Sequence, residues 1–356
     1  MLARLDAQLK GLSNAYFALV MATGIISLGA HLLDLPAIAV TLFAINIVAY
    51  VVLWVLYALR LIRQREAIFA DLTDHRRSLG YLTVVAATCV LGSQVLLIGE
   101  RPGIATALLI FGAALWLILI YMIFAALMIK RDKPSLAEGI NGGWLLAVVS
   151  TQSIAVLTAL LSNQWEPELR LEANFIALSM WLWGGMLYIW LVSLIFYRYM
   201  FFRFAPTDLT PPFWINMGAM AISVLAGSLL ITNTPDAPFL QSLQPFLEGF
   251  TVFYWATGTW WIPVIVILAV WRYGYCRTPL TYDPLYWGAV FPIGMYAVST
   301  YRMSEAMPLE FLGNIPKVFF WLALLAWAFA FFGMARRVVA ALRELIQSPR
   351  SAGRVA

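Results

Sequence analysis

The sequence predicts an all-α integral membrane protein: ten transmembrane helices arranged as five helical hairpins, with the odd helices forming an inner ring around a central pore. Three observations lead there. The 356 residues are 62% hydrophobic and 12% charged, with a mean hydropathy of +0.83, where a soluble domain carries about 25% charged residues. Apolar segments long enough for the hydrocarbon core recur from end to end. Lys and Arg concentrate in alternate loops.

The segments run over 13–33, 37–60, 79–98, 104–129, 140–162, 173–197, 212–232, 247–271, 284–301 and 312–335. They divide the chain into a cytoplasmic N-terminal segment (1–12), a transport domain (13–335) and a cytoplasmic C-terminal tail (336–356). Of the 23 Lys and Arg, 19 fall on the side of the two termini; Arg101, Arg170, Arg302 and Lys317 fall on the other. Acidic residues split evenly. The positive-inside rule places both termini in the cytoplasm, in a multi-pass protein of the inner (plasma) membrane. One span too many or too few would invert the alternation downstream. The pI of about 9.2 is thus a matter of topology and calls for no nucleic-acid partner. The opening MLARLDAQLKGLSNAYF has no small-residue cleavage site after a short apolar core, so the first span is expected to be mature sequence.

Within each hairpin the two spans differ in chemistry. The even spans are long and bulky, as in FAINIVAYVVLWVLYALRLI (43–62) and FIALSMWLWGGMLYIWLVSLIFY (175–197), and hold 11 of the 15 Trp. Such helices suit lipid and the aromatic belts at its surfaces. The odd spans carry small and hydroxyl residues at their centres. In order these are ATGIIS (22–27), TCVLGSQ (88–94), AVVSTQS (147–153), AISVLAGS (221–228) and YAVST (296–300). Hydroxyls in hydrocarbon require partners or water, and small residues let backbones approach. Packing alone accounts for any one span. The fivefold alternation points to a conduit lined by the odd helices.

Helical spacing aligns Tyr16, Val20, Thr23 and Ser27 on the first span. It aligns Asn216, Met220, Ser223 and Gly227 on the seventh, and Phe291, Met295, Val298 and Arg302 on the ninth. Candidate lining residues are Thr23, Ser27, Thr88, Ser93, Ser150, Ser153, Ser223 and Met295. In VFPIGMYAVSTYRM (290–303) a Pro and a Gly interrupt an apolar span, and Pro292 is expected to kink or break the helix there. Arg302, toward the outer end, is a candidate anion contact at the mouth, or an interfacial anchor.

No Asp, Glu, Lys, Arg or His lies in the middle of a span. Asp34, Glu100, Glu248 and Arg302 stand at ends, His31 near an end and His75 in a loop. That disfavours tight proton coupling and haem ligation. GxxxxGK[ST], HExxH and CxxC are absent, and Cys89 and Cys276 lie far apart, so no metal, cofactor or disulfide is expected. Asp71 and Asp74 in DLTDHRR give a single DxxD flanked by Arg76 and Arg77, which reads as a loop cap or ion cluster. A membrane enzyme acting on lipid would need a polar catalytic cluster that the spans lack, so the chain is not expected to be an enzyme. An anion can cross such a path on hydroxyl and amide donors, whereas a cation leaving water needs carbonyls or carboxylates.

The stretches YFALVMATGIIS (16–27), TCVLGSQ (88–94), GINGGWLLAVVSTQSIAVL (139–157), PPFWINMGAMAISVLAG (211–227), WATGTWWIPVIVIL (255–268) and YWGAVFPIGMYAVST (286–300) carry a resemblance. In their order across the chain, it resembles the tellurite-resistance/C4-dicarboxylate transporter family, relatives of plant slow-type anion channels and fungal malate permeases. The resemblance implies five hairpins around a conduit, commonly as a homotrimer with one pore per subunit. It also implies an aromatic plug on the ninth span at the proline, which here is Phe291 followed by Pro292. The segments before Ser13 and after Ala335 are short, so gating through long tails is not expected. The expected function is passage of small anions, C4-dicarboxylates or inorganic oxyanions, through a phenylalanine-gated pore. The alternative is a secondary carrier that exports dicarboxylate, sulfite or tellurite-type oxyanions by alternating access.

Overall fold

A computed structural model describes residues 2–279 and 281–346. Ten helices build the bundle: α1 (Ala18–Leu32), α2 (Pro36–Arg63), α3 (Thr83–Leu97), α4 (Pro102–Ile129), α5 (Leu146–Ser162), α6 (Pro167–Phe201), α7 (Ile215–Thr232), α8 (Gln244–Ala269), α9 (Trp287–Ala306) and α10 (Asn314–Ile346). No strand occurs among the described residues. Among the described residues eight segments are long and apolar enough to cross a membrane. The two that fall short of those terms are α1, with 15 residues, and α9, whose last turns carry Thr300, Arg302, Ser304 and Glu305.

Consecutive helices pack as hairpins, α1 on α2 through α9 on α10. The turns are short, and Pro36, Pro102 and Pro167 each open an even helix at its first position. There the missing N–H would have no intrahelical partner in any case and the fixed φ suits the helix. The odd helices pack on one another in sequence: α1 on α3, α3 on α5, α5 on α7, α7 on α9, and α9 back on α1.

Burial divides the two kinds of helix. The apolar windows of the segments containing α3, α5 and α7 are each 94% buried, whereas those of the even helices are between 17% and 39% buried. Even-helix surfaces present residues such as Val48, Ile118, Trp190, Ile267 and Phe329. This matches the difference in composition read along the chain: a helix apolar all round and rich in small residues is suited to the interior, and one with a bulky face to lipid.

The end of the bundle near both termini carries most of the basic residues and is tied by ion pairs. Arg60, 1% exposed, meets Asp71 at 2.7 Å, and Arg77 meets the other Asp71 oxygen at 2.9 Å. Arg60 also donates to the Tyr81 hydroxyl. The DxxD motif is thus a structural ion cluster. The N-terminal segment forms a helix over Leu2–Lys10, joined to α2 through Asp6 and Arg63 at 2.7 Å. The last helix, α10, runs past position 336 to Ile346; residues 347–356 lie outside the described residues.

Candidate functional site

Five hydrogen bonds fix how each hairpin meets the next. Tyr50 on α2 meets Thr88 on α3 at 2.9 Å. Trp116 on α4 donates to Thr151 on α5 at 2.9 Å. Trp181 on α6 donates to the Ser223 carbonyl on α7 at 2.9 Å. Trp255 on α8 donates to Thr300 on α9 at 3.0 Å. Trp327 on α10 donates to Thr23 on α1 at 2.9 Å. Each runs from the outer helix of one hairpin to the inner helix of the next. A polar group in hydrocarbon needs such a partner.

These bonds reassign part of the expected lining. Thr23 is held by α10, Ser27 donates to the Ala39 carbonyl of α2 at 2.7 Å, and Thr88 faces Tyr50. The stripe on α1 therefore faces outer helices. The stripe on α7 does too. The Asn216 carbonyl accepts from Tyr188 of α6, Met220 lies against Gly258 of α8, and a Cβ on Gly227 would meet Thr251 and Trp181. Small residues on an inner helix here admit aromatic side chains from outside. The hydroxyls of Ser93, Ser150, Ser153 and Ser223 donate to carbonyls of their own helices, at 2.7 to 3.1 Å. So satisfied, none requires water.

On α9 the geometry is different. Pro292 faces α7, where a Cβ on Gly218 would lie 2.6 Å from its Cγ. Gly294 faces Ile25 and Ile26 of α1. Tyr296 and Thr300 bond Thr259 and Trp255 of α8. At 100° per residue, these directions leave Phe291 and Met295 on the side enclosed by the inner helices, with Ser299 turned close to the direction of Pro292. Phe291 and Met295 are each 1% exposed and Ser299 is fully buried. On α3 the same reasoning applies. Thr88 faces α2, a Cβ on Gly112 of α4 would meet Cys89, and one on Gly24 of α1 would meet Val90. Ser93 lies between the last two directions, toward the enclosed side.

Two expectations are corrected. Pro292 does not break its helix: α9 runs from Trp287 to Ala306. The proline stands in the second turn, so the bond it forfeits is the one to Gly288, and Gly218 leaves room for its ring. Nor does a water-wide lumen reach the candidate lining. Thr23, Ser27, Thr88, Ser150 and Ser223 are each 0% exposed.

Arg302 pairs with Glu305 at 2.9 Å and is half-buried at the end of α9. Such a pair presents no net charge to an anion. His31 is exposed. His75 packs beside Trp144, where burial, then Lys130, lowers its pKa from the ordinary value. Cys89 and Cys276 are both free. Among the described residues no cluster of three His, Cys, Asp or Glu comes together to hold a metal ion. Sequence reading also missed a buried amide pair, Asn46 to Gln94 at 2.6 Å between α2 and α3.

An all-helical membrane bundle with a buried, uncharged interior and one aromatic face turned inward defines a class of helical membrane protein. A family model described as SLAC1, voltage-dependent anion channel, matches residues 11–335, and the chain belongs to that family. It is 27% identical over 332 residues to an uncharacterized transporter of Methanocaldococcus jannaschii, covering 91% of this chain and 94% of that one. A second such transporter from the same organism is 27% identical over 335 residues, 90% and 91% of the two chains. An uncharacterized membrane protein of Mycobacterium tuberculosis is 36% identical over 167 residues, 47% of this chain and 84% of the relative.

Proposed function

We propose that this protein passes small anions across the inner membrane along the axis enclosed by α1, α3, α5, α7 and α9, and that the Phe291 ring closes that axis. All ten helices then span, with both termini cytoplasmic, a reading that the distribution of Lys and Arg supports. The observation that carries the reading is the inward face of α9. Phe291 and Met295 lie opposite the contacts that α9 makes with α8 and are shielded from water. Ser93, Ser150, Ser153 and Met295 are the lining proposed beside Phe291 and Pro292. Thr23, Ser27 and Thr88 seal hairpins, and Ser223 and Arg302 do not enter the path.

The uncharged interior favours an anion. Opening would turn serine hydroxyls from backbone carbonyls toward an ion, and donors of that kind serve anions. C4-dicarboxylates and inorganic oxyanions share this chemistry. A homotrimer with one path per subunit is the assembly that goes with the reading. The test is ion-substitution electrophysiology on purified protein in bilayers. Anion-selective unitary currents support a channel. Saturable counter-flow in proteoliposomes without unitary currents selects the carrier.

A further inference from the structure

Neighbouring outer helices are bridged by aromatic pairs around most of the bundle: Trp54 with Phe111 at 5.4 Å, Trp116 with Trp183 at 6.1 Å, and Phe196 with Trp260 at 6.2 Å. Among the described residues no such pair joins α8 to α10, or α10 to α2. The gap between α8 and α10 is a cavity of about 860 Å³, open on one side, whose walls include Ile265, Ile293, Ala326 and Phe329. Its floor is α9, at Ala289, Val290 and Ile293. Along α10 it extends from Ala326 to Arg336, about 15 Å at the helical rise.

The rim toward the termini is cationic. Arg336 lines it. Arg272 lies 5.2 Å over the ring of Tyr273, itself a lining residue. The Arg272 Nε and Nη1 are buried without a hydrogen-bond partner among the described residues. Arg272 as a residue is partly exposed, and donors left idle in this way suit an anion.

We propose that this groove holds one anionic phospholipid, its acyl chain along α9 and its phosphodiester at Arg336 and Arg272. The apolar walls match a hydrocarbon chain, and the rim matches a phosphate at the depth of the membrane surface. Residues 347–356 are a poor occupant, since Arg350 and Arg354 would face a rim of their own sign.

Native mass spectrometry of the detergent-purified full chain, titrated with phosphatidylglycerol against phosphatidylcholine, tests this. The wild type is expected to retain one phosphatidylglycerol in preference to phosphatidylcholine. Arg336→Gln and Arg272→Gln should each lower that preference about fivefold. Ala326→Phe, which fills the groove and leaves the charges, should abolish the tight adduct; if it does not fold, Ala289→Leu on the floor is read instead. Unchanged preference in both arginine variants overturns the proposal. So does an adduct that survives filling, or filling that alters only the oligomeric mass and so assigns the groove to a second copy. None of these readouts depends on transport, so the site stands or falls apart from the conduit.

Discussion

The indole N–H of Trp327 donates to the hydroxyl of Thr23 at 2.9 Å, across 304 positions of sequence. It joins the last helix to the first and completes the series of outer-to-inner bonds that begins with Tyr50 and Thr88. Thr23→Val keeps the shape and removes the acceptor, leaving a buried indole N–H idle. The expected loss is about 0.5 to 2 kcal/mol, the range of interhelical bonds in membranes. Thr23→Ser should lose little. Unfolding in SDS titrations checks both.

Phe291→Ala is expected to raise anion conductance, because the ring fills the enclosed side of α9 where its removal leaves space about one aromatic side chain wide. Phe291→Trp should lower it. Unchanged currents from folded, surface-exposed Phe291→Ala protein would remove Phe291 from the path.

Aqueous cysteine labelling separates the two faces of the inner helices. In a background without native cysteines, Ser93→Cys should react slowly in the closed protein and faster when combined with Phe291→Ala. Thr23→Cys should remain unreactive in both, since its side chain is directed at α10. Equal labelling of the two would contradict the facing deduced for α1 and α3.

Gly218→Ala places a Cβ 2.6 Å from Pro292 Cγ and 2.9 Å from its Cβ. A proline ring cannot rotate away, so α7 or α9 must shift. Overpacking of this kind costs about 1 to 3 kcal/mol. Thermal unfolding should show the loss, and the displacement of α9 should alter the currents as well.

Asp71→Ala leaves Arg60 buried and uncompensated. The expected destabilisation is about 3 to 5 kcal/mol, the cost of removing one partner of a buried pair. Replacing Arg60 and Asp71 together by Met and Leu should restore much of it. Arg77 is 53% exposed on its side chain, so Arg77→Ala should change stability far less. Denaturant midpoints of the four proteins check the ordering.

Much of the architecture was legible because a membrane filters residues by where they sit. Charge must stay in the loops, bulk can face lipid, and small residues let helices meet. Hairpin pairing and the distinction between α3, α5 and α7 and their even neighbours followed from this. Roles along the inner helices were less legible. A hydroxyl at Thr23 or Thr88 reads the same whether it faces an ion or a tryptophan, and periodicity gives a face without saying which way the face is turned. On α9, Pro292, Gly294 and Tyr296 fix three sides and leave Phe291 and Met295 on the fourth.

By itself the sequence determined that this chain enters a membrane, which end of its hairpins is basic, and which helices are buried. Those outcomes depend on composition and on alternation, which are additive along the chain. Only the tertiary structure decided which serines and threonines seal hairpins, that Pro292 leaves α9 continuous, and that Phe291 is buried. Each of these depends on what stands opposite a side chain, as Trp327 stands opposite Thr23 and Gly218 opposite Pro292, and such partners are set by packing between segments distant in sequence.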